Sequence, residues 1–171
     1  MLYFPQFFSI RECSTALHFA AYNGHLEVCK LIMDNLIDKN PANAYPRQET
    51  PYHYAAENGQ LAVCQLFYDN LYDKNPATPG GLTPLHCAAE YGHVEVCKLI
   101  MANLVDKNPR AGSGYGGRPS PLDLATINKS YRNVDVATRN RKLEVCQLFH
   151  EHGIYINGHF PNPPSPFAHV I

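Results

Sequence analysis

Residues 83–109 read TPLHCAAEYGHVEVCKLIMANLVDKNP, and the same sentence is written twice more in the chain. TALHFAAYNGHLEVCKLIMDNLIDKNP begins at Thr15, and TPYHYAAENGQLAVCQLFYDNLYDKNP begins at Thr50. A fourth copy is split, with SPLDLAT starting at Ser120 and KLEVCQLFHEHGIYIN resuming at Lys142. The first three copies start 35 and 33 residues apart. A period of that size marks a solenoid built from one supersecondary unit, in which each unit buries its apolar face only against its neighbours.

Each unit can be read physically. Thr15, Thr50, Thr83 and Ser120 stand where an N-cap hydroxyl would satisfy an orphan backbone N–H. Pro51, Pro84 and Pro121 follow at the first helical position, where a missing N–H costs nothing. The pairs Ala20–Ala21, Ala55–Ala56 and Ala88–Ala89 are small enough for a neighbouring helix to come close. Gly24, Gly59 and Gly92 then stop the first helix in the left-handed conformation that glycine adopts cheaply. A second helix starts at once, and in the first unit Leu26, Val28, Cys29, Leu31 and Ile32 supply its apolar face. It ends near Asn35, Asn70 and Asn103, Asn being the usual substitute for a capping glycine.

These residues, TPLHxAAxxGHxxVCxLI in consensus form, resemble the ankyrin repeat. The likeness runs over about residues 14–157, as repeats of about 14–46, 47–79, 80–116 and 117–157. It implies an all-α repeat solenoid of helix–turn–helix units carrying β-hairpin fingers, stacked into a curved slab. It also implies a non-enzymatic module that binds another protein through a rigid concave groove and finger tips. The imidazoles of His18, His53 and His86 would then bond the capping Thr and the neighbouring loop, with Asp123 in that place in the fourth copy. Asn40, Asn75, Asn108 and Asn157 fall where such proteins resemble asparaginyl hydroxylase substrates; the plainer reading is a turn Asn bonding its own backbone.

The chain departs from the pattern in several places. Leu36, Leu71 and Leu104 stand where a glycine normally follows the second helix, so the preceding Asn is expected to take over the cap. Only the last unit keeps the glycine, at Gly153. The fingers vary: nine residues at 41–49, seven at 76–82 and eleven at 109–119, the last Gly-rich and expected to be mobile. Residues 127–142 are a larger insertion between the two helices of the fourth unit, with the turn position falling near Arg141. This segment gathers Lys129, Arg132, Arg139, Arg141 and Lys142 against one acid, Asp135. It reads as a solvated loop or extended helix, or as a docking patch for an acidic partner.

The ends differ from the middle. Residues 1–13 are apolar and aromatic, with Tyr3, Phe4, Phe7 and Phe8, and could cap the first repeat. The stretch lacks the basic start of a signal peptide and contains Pro5. Residues 158–171 form a Pro-rich tail outside the repeats. A solenoid needs polar caps, so an excerpt of a longer array is the competing explanation.

A net charge of -1 argues against bulk nucleic-acid binding, which needs a basic surplus. No apolar run is long enough to insert into a membrane. Cys29, Cys64, Cys97 and Cys146 recur at one register, which packing explains without a metal or disulfide framework. Equivalent positions on stacked helices lie roughly 8–10 Å apart, beyond disulfide reach. Cys87 is off that register and expected to be partly exposed. His25/Cys29 and His93/Cys97 have zinc-compatible spacing, but no third ligand converges, so no metal and no cofactor are expected. No GxSxG, P-loop or HExxH motif occurs, which points away from an enzyme. Free thiols suit an intracellular compartment, most simply the cytoplasm.

The family's variable positions map onto Tyr22–Asn23, Glu57–Asn58 and Glu90–Tyr91 before the turn glycines, and onto Arg47, Glu49 and Leu82 before the TPLH motifs. The resulting groove is aromatic and mildly acidic, suited to a partner segment with basic and apolar residues. A properly capped chain would be a monomer. The alternative function is a scaffold-only piece of a longer array in a multidomain regulatory protein.

Overall fold

A computed structural model describes residues 15–43, 47–111, 119–126 and 135–155. The helices are α1 (Ala16–Tyr22), α2 (Leu26–Asp34), α3 (Pro51–Glu57), α4 (Leu61–Asn70), α5 (Pro84–Tyr91), α6 (Val94–Met101), α7 (Pro121–Thr126) and α8 (Val136–Glu151). They form two layers. The odd-numbered helices line up in chain order in one layer and the even-numbered in the other, each helix packing on its partner within the repeat. Between the layers lie Leu17, Met33, Tyr52, Phe67, Leu85, Ile100, Leu122 and Phe149, all buried, with Tyr52 stacked on Phe67 at 5.6 Å. Helices this short are unstable alone, so packing between repeats holds them.

The capping hydroxyls and histidines work as a pair. The backbone N–H of Thr15, Thr50 and Thr83 donates to Nδ1 of His18, His53 and His86 at 3.1, 3.2 and 3.2 Å. Nε2 of the same rings faces the carbonyls of Glu49, Leu82 and Pro119 at 3.1, 3.0 and 3.2 Å. A backbone N–H can only donate and a carbonyl only accept, so each ring is neutral with its proton on Nε2. Ser120 and Asp123 repeat the device without an imidazole: the Ser120 N–H donates to Asp123 Oδ2 at 2.9 Å.

The turn glycines have φ of +74°, +66° and +76° at Gly24, Gly59 and Gly92. A second constraint acts on the same residues. A Cβ at Gly24 or Gly59 would lie 2.4 Å from the Gln60 or His93 side chain of the following repeat, and one at Gly92 would lie 3.0 Å from Arg141 Cβ. The side chains that press there bond across the repeat junction. Gln60 Nε2 donates to the Tyr22 carbonyl at 3.0 Å, and His93 Nε2 donates to the Glu57 carbonyl at 2.9 Å.

The second helices end differently from expectation. Asn35 keeps a φ of -104°, outside the left-handed region. Its amide instead caps by side chain, donating to the Leu31 carbonyl at 2.8 Å, and Asn70 does the same to Leu66 at 2.9 Å. Asn103 reaches sideways to the Tyr68 hydroxyl at 2.7 Å. Lysines complete these ends: Lys74 donates to the Leu71 carbonyl at 2.7 Å and Lys107 to the Met101 carbonyl. A large Leu at the next position forbids the cheap left-handed turn, so side chains take over the orphan carbonyls. Gly153 alone keeps the left-handed end, at φ +75°.

The Asp-Lys-Asn triplet ties one repeat to the next. Asp38, Asp73 and Asp106 accept the N–H of Asn40, Asn75 and Asn108 at 3.0, 2.9 and 2.9 Å. The Asn Oδ1 atoms then accept the N–H of Tyr52, Leu85 and Leu122 at 3.1, 3.0 and 3.0 Å, satisfying an orphan donor in the first turn of α3, α5 and α7.

The β-hairpin fingers are not seen: the described residues contain no strand. Among the described residues, backbone bonds close the finger bases from Asn43 N–H to Glu49, from Thr78 N–H to Leu82 and from Ala111 N–H to Pro119, at 2.8, 2.8 and 2.9 Å. Prolines such as Pro76 and Pro79 have no N–H to give a ladder. The Gly-rich part of the third finger, residues 112–118, lies outside the described residues, as do residues 1–13 and 158–171.

Two further readings need correction. Val28 and Leu31, expected on the apolar face of α2, are 47% and 67% exposed, whereas Val63 and Val96 in later repeats are buried. Later valines are covered by the preceding even-numbered helix, and among the described residues α2 has none. Cys87, expected to be partly exposed, is buried on α5.

Candidate functional site

The candidate surface runs along the odd-numbered helices, from the finger bases at their starts to Tyr22, Glu57 and Tyr91 at their ends. Tyr91, the last residue of α5, is 46% exposed. Its phenol is pushed up to about 12 by partial burial, with the carboxylates of Glu57 and Glu90 adding to the effect. Glu57 ends α3 and Tyr91 ends α5, so the two belong to neighbouring repeats. Lys142 of α8 is half-buried, and burial lowers its ammonium pKa while Glu90 opposes that shift. The surface therefore runs Glu57, Tyr91, Glu90, Lys142 across three repeats. Tyr22 is half-buried at the end of α1, edge-on to Tyr54 at 6.4 Å.

Other expected members do different work. Glu49 and Leu82 are buried. Their carbonyls accept the His18 and His53 bonds, which draws both residues inward. Arg47 stays exposed, with its guanidinium 3.5 Å from the Glu49 carboxylate. Asn23 and Asn58 spend their amides capping α1 and α3, donating to the Phe19 and Tyr54 carbonyls at 2.8 and 2.9 Å. The sequence missed Cys87 as part of this wall: its thiol is pushed well up by burial first, then by Glu49, Glu57 and Glu90.

The basic segment divides. Lys129 and Arg132 lie outside the described residues. Arg139, Arg141 and Lys142 sit on α8, whose 16 residues run straight through the expected turn. So part of the insertion is extra helix, capped by Asp135, whose Oδ1 accepts the Thr138 N–H at 2.8 Å. Asp three residues before Thr138 is the sequence signal that could have placed this helix start. Arg139 is exposed, whereas Arg141 donates to Thr138 Oγ1 at 2.8 Å and packs on Gly92.

Asn40 and Asn108 are half-buried and Asn75 is buried, each engaged as described above; Asn157 lies outside the described residues. Cys29, Cys64 and Cys97 are buried free thiols, and burial pushes Cys29 up to about 11 and the other two higher. At neutral pH such thiols are poor nucleophiles. Among the described residues no three His, Cys, Asp or Glu side chains converge as a metal site, and no helix is long and apolar enough to cross a membrane.

A family model described as ankyrin repeats, three copies, matches residues 7–78, and one described as ankyrin repeat matches residues 80–111. No curated protein matches the chain. The family match stops before the unit built from α7 and α8, where the insertion breaks the period.

Proposed function

Because the chain belongs to the ankyrin-repeat family, whose repeats are generally protein–protein interaction modules, we propose that it binds a partner protein on the surface formed by the odd-numbered helix ends and finger bases. One observation carries this reading: Tyr91 stands exposed beside the carboxylates of Glu57, from the preceding repeat, and Glu90. A tyrosine anchor buries much area with few rotatable bonds to fix on binding. Glu57 and Glu90 beside it favour a partner segment with basic and apolar residues. Such modules are typically non-enzymatic, and the buried thiols and neutral histidines suit that role.

Partner capture from native lysate tests the reading, comparing the natural chain with a Tyr22→Ala, Glu57→Ala, Tyr91→Ala variant that still folds. A partner lost only with the variant supports it. A partner retained by both overturns it and moves docking to Arg139 and its neighbours on α8. The free thiols support an intracellular setting. Hydroxylation of Asn40, Asn75 or Asn108 would need local opening of the tie to the next helix. Intact-mass measurement on protein from its native cells tests it, and absence of an added oxygen on these residues rejects it.

A further inference from the structure

The edge of the slab where α2, α4 and α6 end, away from the helix turns beside Tyr91, carries an unexplained feature. Ile37, Tyr72 and Val105 occupy the same register in three successive repeats, directly after Leu36, Leu71 and Leu104. They are 105%, 103% and 104% exposed, as open to water as side chains get. Single exposed apolar residues need no explanation, but a row of large ones in register does. The fold does not require them: they contribute nothing to the core, and each sits between an Asn–Leu pair and the Asp that starts the loop tie.

The surroundings of this row are negative. Asp38, Asp73 and Asp106 follow each apolar residue, and all three are exposed; Asp34 and Asp69 lie three residues before it in the first two repeats and are exposed too. The carboxyl end of α2 points to the same edge and adds partial negative charge, whereas those of α4 and α6 are met by the ammonium groups of Lys74 and Lys107. Against the five aspartates stand three lysines, Lys39, Lys74 and Lys107, the last two turned onto helix carbonyls, so the edge keeps a net negative charge.

We propose that this edge is a second docking surface, and that its occupant is a basic amphipathic helix of a partner protein. The match is geometric as well as electrostatic. Stacked repeats place the three residues roughly 10 Å apart. A helix rises about 10.5 Å in seven residues, so an apolar residue at every seventh position would meet the row in step. Lysines or arginines beside it would face the aspartates. An anionic membrane is disfavoured by the same carboxylates. This surface is independent of the one around Tyr91.

The test uses the full chain and a synthetic helical peptide with Leu at every seventh position and Lys on either side. The control peptide has Glu in place of Lys. Binding is read by fluorescence anisotropy and mapped by amide chemical shifts. The Lys peptide is expected to bind, to shift amides around Ile37, Tyr72 and Val105, and to weaken at least about tenfold with an Ile37→Ser, Tyr72→Ser, Val105→Ser variant. These side chains are fully exposed, so the variant should keep the natural melting temperature; a Tyr72→Lys single variant serves as a second probe of the same edge. The Glu peptide should not bind. Shifts centred on Tyr91 instead, equal binding by the triple variant, equal binding of the Glu peptide, or no binding would each overturn the proposal. So would tighter binding to phosphatidylserine vesicles than to the Lys peptide, or self-association that the triple variant abolishes.

Discussion

At the scale of single residues, the buried histidines make stability depend on pH. Burial lowers the His53 and His86 imidazoles from 6.5 to about 4. The folded state therefore refuses a proton that the unfolded chain accepts below 6.5. Stability is complete above that value and is lost as pH falls from 6.5 towards 4, at about 1.4 kcal/mol per pH unit for each ring. Urea midpoints measured from pH 7.5 down to 4.5 should fall accordingly. His86→Asp, which copies the Ser120–Asp123 arrangement, should flatten the fall. Asn75 gives a second expectation. Its Oδ1 accepts the buried Leu85 N–H, so Asn75→Ala should cost about 1–3 kcal/mol in the same assay. The capping histidines and the loop asparagines were legible in the sequence, because both stand at fixed offsets from the repeat's Thr. The burial of Glu49 and Leu82 was not. It follows from the path of the finger base, where Gln48 has φ +52° and Thr78 bonds the Leu82 N–H.

At the scale of elements, helix pairs and their turns followed from Thr, Pro and Gly at constant spacing. The helix ends did not, because Asn can cap through its backbone or its side chain and only the geometry chooses. The start of α8 escaped for another reason: VATRNRK has no apolar period, so nothing distinguished helix from loop except the Asp135 cap. The turn glycines allow a controlled experiment. Gly59 and Gly153 share the left-handed backbone, at φ +66° and +75°. A Cβ at Gly59 would meet the His93 ring at 2.4 Å, whereas one at Gly153 would meet nothing within 4 Å. Gly153→Ala should therefore cost only the backbone term, about 1–2 kcal/mol. Gly59→Ala should cost about 1–3 kcal/mol more, since it also displaces His93 from the Glu57 carbonyl. Equal losses in chemical denaturation would show that the close approach does not matter.

At the scale of the whole molecule, stability is a sum of repeat and junction terms, since each unit touches only its neighbours. The same substitution should then have different costs along the stack. Val28 and Val63 hold one register on α2 and α4, with 47% and 1% exposure. Deleting two methyl groups from a buried valine removes about 1.6 kcal/mol of transfer free energy and leaves a small cavity, so Val63→Ala should cost about 2–3 kcal/mol. Val28→Ala removes the same groups from a face already half in water, and should cost about 1 kcal/mol or less. Hydrogen exchange adds position to magnitude. Val63→Ala weakens the junction between the first two repeats, so amides of α1 and α2 should lose protection before those of α5 and α6. Uniform loss of protection across all repeats would mean that the slab opens as one unit and that neighbour-by-neighbour addition fails for it. The comparison also bears on the edge row of Ile37, Tyr72 and Val105, because residues that contribute to no junction can be replaced without cost to any of them.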